Sequence, residues 1–337
     1  MDSMNFLPLI WAAFLTSAIV FYVLLDGFSL GIGILFPFAR PGHDRDLMMA
    51  TIVPVWDGNQ TWLVGGGMAL LTAFPKAANI LATALYLPLT IMVLALVFRG
   101  AGLEFRFKAK VTRLWSIAFV VGSVLAAFSQ GLILGTYVQG FEYDGTQLLG
   151  GVLAFITPFS LFTGLCVVLA YALLGACWLI YKAEGELQQW AQAAARRLLP
   201  LVVAAVGLIS LWSALAIPYV RTLWFGWPNI ILLSPIPFWT LILSAVLYRL
   251  LYKLPRQDFL PFLCCIGLYL MTLVGLGLSL WPYVVPRTLT IWQVAAPDSS
   301  LLFAMVGVLL IVPVILVYTA HSYYVFRGKV SLRDVYH

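Results

Sequence analysis

The sequence predicts an all-α integral membrane protein with nine transmembrane helices. Three observations lead there. Hydrophobic residues make up 63% of the 337-residue chain and charged residues only 9%, against about 25% charged in a soluble domain. The mean hydropathy is +1.00. The apolar residues also form long continuous runs, unlike the alternating segments of roughly ten residues that build a membrane β-barrel. A helix of roughly 20 residues crosses a bilayer and satisfies its own backbone hydrogen bonds there. No polar stretch is long enough to fold separately, so residues 1–337 read as a single membrane domain.

The nine runs lie at 6–36, 50–73, 77–98, 114–138, 150–181, 198–219, 235–252, 259–284 and 300–326. Helices one to four thus fall within 6–138, five to eight within 150–284, and the ninth within 300–326. Basic residues in the connections test this order. Lys76, Arg221 and Arg287 fall on one side, and the other sixteen of the nineteen fall on the opposite side. That asymmetry predicts a periplasmic N-terminus and a cytoplasmic C-terminus. Trp224, Trp227, Trp281, Tyr283 and Trp292 gather on the sparsely charged side, as an interfacial aromatic belt would. The net charge of +6 therefore records orientation, not nucleic-acid binding.

Other segments carry less. Cys166, Cys177, Cys264 and Cys265 lie in apolar runs without metal or redox spacing and read as inert thiols. The start, Met1-Asp2-Ser3-Met4-Asn5, lacks the basic region of a cleaved signal peptide, and the end, Val335-Tyr336-His337, carries no lipidation motif. Gly27 with Gly31, and Gly131 with Gly135, are spaced for close helix contact, read here as ordinary packing.

The chemistry concentrates in the first two runs. Asp57 lies in Trp56-Asp57-Gly58-Asn59-Gln60-Thr61-Trp62, inside a segment expected to cross the membrane. An ionisable group at that depth costs about 2.5 to 3.5 kcal/mol or more and commonly marks an ion path. Asp57, Gln60 and Thr61 share one helical face, while Asn59 points toward another. In the first run Tyr22, Asp26 and Ser29 repeat the pattern. Both carboxylates sit roughly 12 to 18 Å from the cytoplasmic edge, which predicts that they face each other or a shared wet cavity. Two readings remain open from the residues alone: hydrogen-bonded acids that hold helices together, or a cytoplasmic proton relay.

Arg99, Glu104 and Arg106 close the third run. They fit a solvated edge, or in the sharper reading Arg99 meets an anionic group of a partner, such as a haem propionate. Arg287 fits a loop or lipid-phosphate anchor. A haem in a helical bundle needs inward-facing ligands near mid-span, but the three histidines are His43, His321 and His337, in a loop, near a helix end and at the terminus. No redox centre, metal site or catalytic residue is expected in the chain itself. A stand-alone proton-coupled secondary transporter is the alternative, because polar, glycine-broken spans suit that class too.

Several motifs carry a family resemblance. Asp26-Gly27-Phe28-Ser29-Leu30-Gly31-Ile32-Gly33 followed by Trp56-Asp57-Gly58-Asn59-Gln60-Thr61-Trp62-Leu63 resembles subunit II of the bacterial cytochrome bd-type quinol oxidases. The likeness continues through Phe98–Arg106, Gly135–Gly140, Thr157-Pro158-Phe159, Tyr283–Pro286, Leu289–Trp292 and Tyr318-Thr319-Ala320. The Trp-Asp-Gly-Asn-Gln motif is the specific part.

This resemblance implies two four-helix bundles plus one peripheral helix, in the bacterial cytoplasmic (inner) membrane. It implies a haem-bearing partner, subunit I, with two b haems and haem d or a third haem b. A small single-span accessory subunit is compatible with it. Ubiquinone or menaquinone would be the substrate, and also a bound structural quinone in some members. The implied reaction is quinol oxidation coupled to reduction of oxygen to water, with protons drawn from the cytoplasm. The implied proton path starts from Asp57, with Trp56, Asn59, Gln60 and Thr61 around it, and includes Asp26. Trp292-Gln293 departs from the Trp-Asp of many members, and the connection between spans six and seven is short. Both features resemble the cyanide-insensitive branch.

Overall fold

A computed structural model describes residues 6–141, 151, 153–253 and 257–330. The expectations for residues 1–5, for the start of the fifth span at 150, and for Arg256, Arg333 and His337 lie outside them.

The first described helix is α1 (Leu7–Leu35), with Pro8 in its first turn, followed by a 3₁₀ turn, Phe36–Phe38. Next come α2 (His43–Ala50), α3 (Trp56–Ala73), α4 (Pro75–Ala84), α5 (Tyr86–Arg106) and α6 (Thr112–Gln139). They are followed by α7 (Pro158–Lys182), α8 (Gly185–Ala216), α9 (Pro218–Phe225), α10 (Asn229–Leu233), α11 (Pro235–Tyr252) and α12 (Leu260–Leu280). A short antiparallel hairpin, β1 (Tyr283–Val285) and β2 (Leu289–Thr290), leads to α13 (Ile291–Val294) and α14 (Asp298–Val325).

Among the described residues, eight helices are long and apolar enough to cross a membrane. The expected second span is not one of them. Residues 50–73 resolve into the last residue of α2, a turn around Pro54, and the 18-residue α3, whose polar motif and four glycines lower its hydropathy. The expected third span, 77–98, is also corrected. Its sequence divides between α4 and α5, and α5 runs on to Arg106. Pro88 explains the break, because a proline ring clashes with the carbonyl four residues back, here Ala84 at the end of α4. The sixth span starts earlier than residue 198, since Gly185–Arg197 extends α8 as a polar, alanine-rich lead. The fifth starts at Pro158, where Thr157 and Ser160 form a reciprocal capping box.

Two helices form the centre. The most apolar stretches of α1 and α7 are each 72% buried, against 6% for α14. Helix α1 packs on α3, α6 and α7, and α5 packs on α6. Helix α7 packs on α6, α8 and α12, and α11 joins α8 to α12, while α14 leans on α3.

The α1–α7 crossing has almost no side chain between its backbones. A Cβ on Gly31 would overlap the carbonyl oxygen of Tyr171, and one on Gly175 would lie 2.6 Å from the carbonyl carbon of Gly31. Gly131 meets the backbone of Thr163 and Gly164 in the same way, so these small residues set the α1–α7 and α6–α7 distances.

Gly31→Ala is expected to lower the yield of folded, monodisperse protein sharply in detergent size-exclusion profiles, because overpacking a tight contact costs about 1 to 3 kcal/mol or more. Gly207→Ala, on α8 with open space around it, is expected to leave the profile unchanged. Equal yields of the two variants would refute the close-crossing account.

Candidate functional site

Tyr22, Asp26 and Ser29 lie on the face of α1 turned into the protein, and all three are buried. Asp26 is paired with Arg99 of α5. Arg99 Nη2 lies 2.8 Å from Asp26 Oδ1, and both side chains have no exposure. The two oppositely charged groups therefore form a fully buried ion pair. Arg99 fits because α6 offers Gly122 there, where a Cβ would lie 2.6 Å from the Arg99 backbone nitrogen. The guanidinium carbon is 5.7 Å from the ring centroid of Trp56, within cation–π range.

The expectation that Arg99 sits at a solvated edge or reaches a partner's propionate is thus corrected. The sequence reading ended the third span at residue 98, just before it, whereas α5 carries it inside the fold. Of the other two charged residues, Glu104 is exposed, while Arg106 is buried at the end of α5. Its Nη1 lies 2.6 Å from Asp46 Oδ1 of α2, and its Nε donates to Ser116 Oγ of α6 at 2.9 Å.

Beside the pair runs a hydrogen-bonded chain that the sequence did not reveal. Gln130 Nε2 donates to the Tyr22 hydroxyl (2.8 Å), and the Tyr171 hydroxyl donates to Gln130 Oε1 (2.7 Å). These bonds join α1, α6 and α7 at the level of Asp26, which interacts electrostatically with Tyr22. No local pattern marks Gln130 or Tyr171, because their partners lie on other helices.

The polar motif of α3 divides between two faces. Asn59 is buried and faces α1, donating from Nδ2 to Leu25 O at 2.8 Å and to Ser29 Oγ at 3.4 Å. Its Oδ1 accepts from the Tyr323 hydroxyl of α14 at 2.9 Å. One amide therefore ties α1, α3 and α14 together. Asp57 is two residues earlier, about 200° round the helix, and is exposed. The structure therefore does not bring Asp57 and Asp26 to a shared cavity. Asp57 occupies the first turn of α3, where the helix dipole favours a carboxylate. Gln60 and Thr61 are half-buried beside it, and Gln60 Nε2 has no protein partner.

Arg287 and Gln293 hold helix ends. Arg287, at φ 60°, donates from Nη1 to Val138 O at 3.0 Å and from Nη2 to Gln139 O, capping α6. Burial there lowers its pKa. The loop-anchor expectation for Arg287 matches this placement. Gln293 Oε1 accepts from Thr290 N at 2.8 Å and caps α13. His43 and His321 are both exposed, so neither fits an inward haem ligand. All four cysteines are free thiols, three of them buried.

The fold and this site define a polytopic helical membrane protein built around a buried ion pair, with a second carboxylate on its flank. The profile of a protein family described as cytochrome bd terminal oxidase subunit II matches residues 7–326. The chain belongs to that family. It is 25% identical to the cytochrome bd-I ubiquinol oxidase subunit 2 of Escherichia coli K12, over 98% of this chain and 96% of that one. It is 27% identical to the cytochrome bd ubiquinol oxidase subunit 2 of Bacillus subtilis, over 96% and 97%. The solved bd oxidase of Geobacillus thermodenitrificans contains a chain of the same fold, with a TM-score of 0.78 and 20% identity, covering 95% of this chain and 97% of that one. The protein is a multi-pass subunit of a bacterial inner-membrane respiratory oxidase. This family membership displaces the transporter alternative.

Asp26→Ala leaves Arg99 charged and unpaired in the interior, which costs about 3 to 5 kcal/mol. Its expected result is a lower thermal midpoint of the purified complex. Asp26→Leu combined with Arg99→Met is expected to recover most of that loss, because a well-packed apolar pair replaces a buried ion pair at little cost. A double variant no more stable than the single one would argue against pairing as the role of Asp26.

Proposed function

We propose that the chain is the haem-free subunit of a quinol:oxygen oxidoreductase. It supports a haem-bearing subunit I and gives protons a route from the cytoplasm through Asp57. In the overall reaction two quinols release four electrons, and one oxygen molecule takes up four electrons and four protons to give two waters. The haems, two of type b with a haem d or a third haem b, would reside in the partner and supply the electron chemistry. Ubiquinone or menaquinone is the reductant, and a second quinone is the candidate structural ligand of this subunit. A small single-span subunit can join the complex.

The observation that carries this reading is the exposed position of Asp57. A carboxylate on the flank of α3, at a helix N-terminus and beside α14, can exchange protons with a neighbouring chain. A carboxylate locked in an internal ion pair cannot do so without breaking that pair. Trp56, Asn59, Gln60 and Thr61 fix the start of α3 and so the position of Asp57. Asp26 acts here as the counter-ion of Arg99. Through the guanidinium near Trp56 it positions the residue next to Asp57.

The proposed membrane arrangement groups α1, α3, α5 and α6 as one bundle and α7, α8, α11 and α12 as a second, with α14 at the edge; the α5–α6, α7–α8 and α11–α12 contacts support it. Counting α3 as a crossing beside the eight apolar helices gives nine. An odd number puts the termini on opposite sides, in accord with a periplasmic N-terminus and a cytoplasmic C-terminus.

Asp57→Asn is expected to keep the haem spectrum and subunit composition of the complex while slowing quinol-driven oxygen consumption. The loss of a positioned proton-transfer group is worth about a hundredfold or more. Full oxygen consumption in Asp57→Asn would end the proton role. Loss of the haem spectrum in Asp57→Ala, with the asparagine variant fully active, would make the residue structural.

A further inference from the structure

The flank formed by α8 and α11 carries a second feature, remote from Asp57 and Asp26. Pro200 stands inside α8, where it has no N–H to donate and crowds the carbonyl of Arg196. Opposite it α11 presents the small Ser244 and Ala245, and then Tyr248. Between the two helices lies a groove of roughly 400 Å³, open to the side and lined by Leu199, Pro200, Val203, Ala204, Ala245 and Tyr248. Its lining is almost wholly apolar.

One end of the groove is closed and basic. Gln192 Nε2 and Arg196 Nε both donate to Leu251 O, at 2.6 and 2.7 Å, and draw the helices together. The Arg196 guanidinium stacks on Tyr252 at 4.7 Å, and Tyr252 lies 4.6 Å from Tyr248, which forms the groove wall. Arg197 precedes Pro200 by three residues and Arg249 follows Ala245 by four, so each continues a lining row of its helix. Both are exposed, and among the described residues neither lies within ion-pair distance of an acidic side chain.

We propose that this groove binds an anionic phospholipid, with an acyl chain along Pro200 and Ala245 and the phosphate against Arg196, Arg197 and Arg249. Basic pockets between membrane helices suit such headgroups, and tyrosines at that level match the interface. The charge complementarity selects the ligand. A quinone head is neutral, and a zwitterionic headgroup brings a cation toward three arginines. The inference needs only a membrane-spanning chain and does not depend on the proton role of Asp57.

The test uses the purified, delipidated oxidase complex, titrated by native mass spectrometry with dioleoylphosphatidylglycerol or dioleoylphosphatidylcholine. The wild type is expected to bind phosphatidylglycerol more tightly. The variant Arg197→Gln with Arg249→Gln is expected to lose roughly tenfold or more of that affinity, at about 1 kcal/mol per basic residue, with phosphatidylcholine binding unchanged. Ala245→Leu fills the groove and is expected to weaken both lipids. None of these exposed side chains is bonded within the fold, and an unaltered haem spectrum verifies assembly. Equal binding of the two lipids by the wild type, or unchanged phosphatidylglycerol affinity in the arginine variant, overturns the proposal. Loss of co-purified quinone from Ala245→Leu with phosphatidylglycerol binding intact would also overturn it, by giving the groove to a quinone tail.

Discussion

A carboxylate and a guanidinium with no exposure persist only together. Removing either ion from water costs several kcal/mol, and the low-dielectric interior returns that energy only through their mutual attraction. The Asp26–Arg99 pair therefore fixes α1 to α5 at one height and register. Other features adapt to it. Gly122 of α6 makes room for the arginine backbone, Trp56 of α3 lies near the guanidinium, and the Gln130 amide holds Tyr22 and Tyr171 alongside. Five helices, α1, α3, α5, α6 and α7, are thereby referred to a single charge pair.

The second constraint is steric. With lipid as apolar as leucine, burying apolar side chains gives membrane helices little reason to associate, and close backbone packing takes over. Glycines 31 and 175 let α1 and α7 nearly touch, and Gly131 does the same for α6 against Thr163 and Gly164. The basic and amide groups at the helix ends complete the arrangement. Lys329 Nζ donates to Ile180 O and Ala183 O and pairs with Asp258, which secures the segment after α14 to the end of α7. Such cationic caps match the helix dipole.

These constraints separate two carboxylates that look alike in sequence. Asp26 serves the interior and is spent on Arg99. Asp57 is placed at the surface by the same helix that turns Asn59 inward. This separation follows from helical periodicity: one face of α3 ties the helices together through Asn59, and the other leaves the Asp57 carboxylate exposed.

The class of protein, its family, its burial of Asp26 and the opposite facing of Asn59 were legible in the sequence, because composition and the 3.6-residue period act locally. Two things were not. The boundary of the third span depended on where Pro88 breaks the chain against Ala84, and misplacing it put Arg99 at a solvated edge rather than inside the fold. The pairing of Asp26 with Arg99, like the Tyr22–Gln130–Tyr171 chain, joins residues far apart in sequence. Only the close glycine-lined packing of α1, α6 and α7 decides which distant polar groups meet. A residue's depth and helical face are set by its neighbours in sequence, but its partner is set by the helix packed against it.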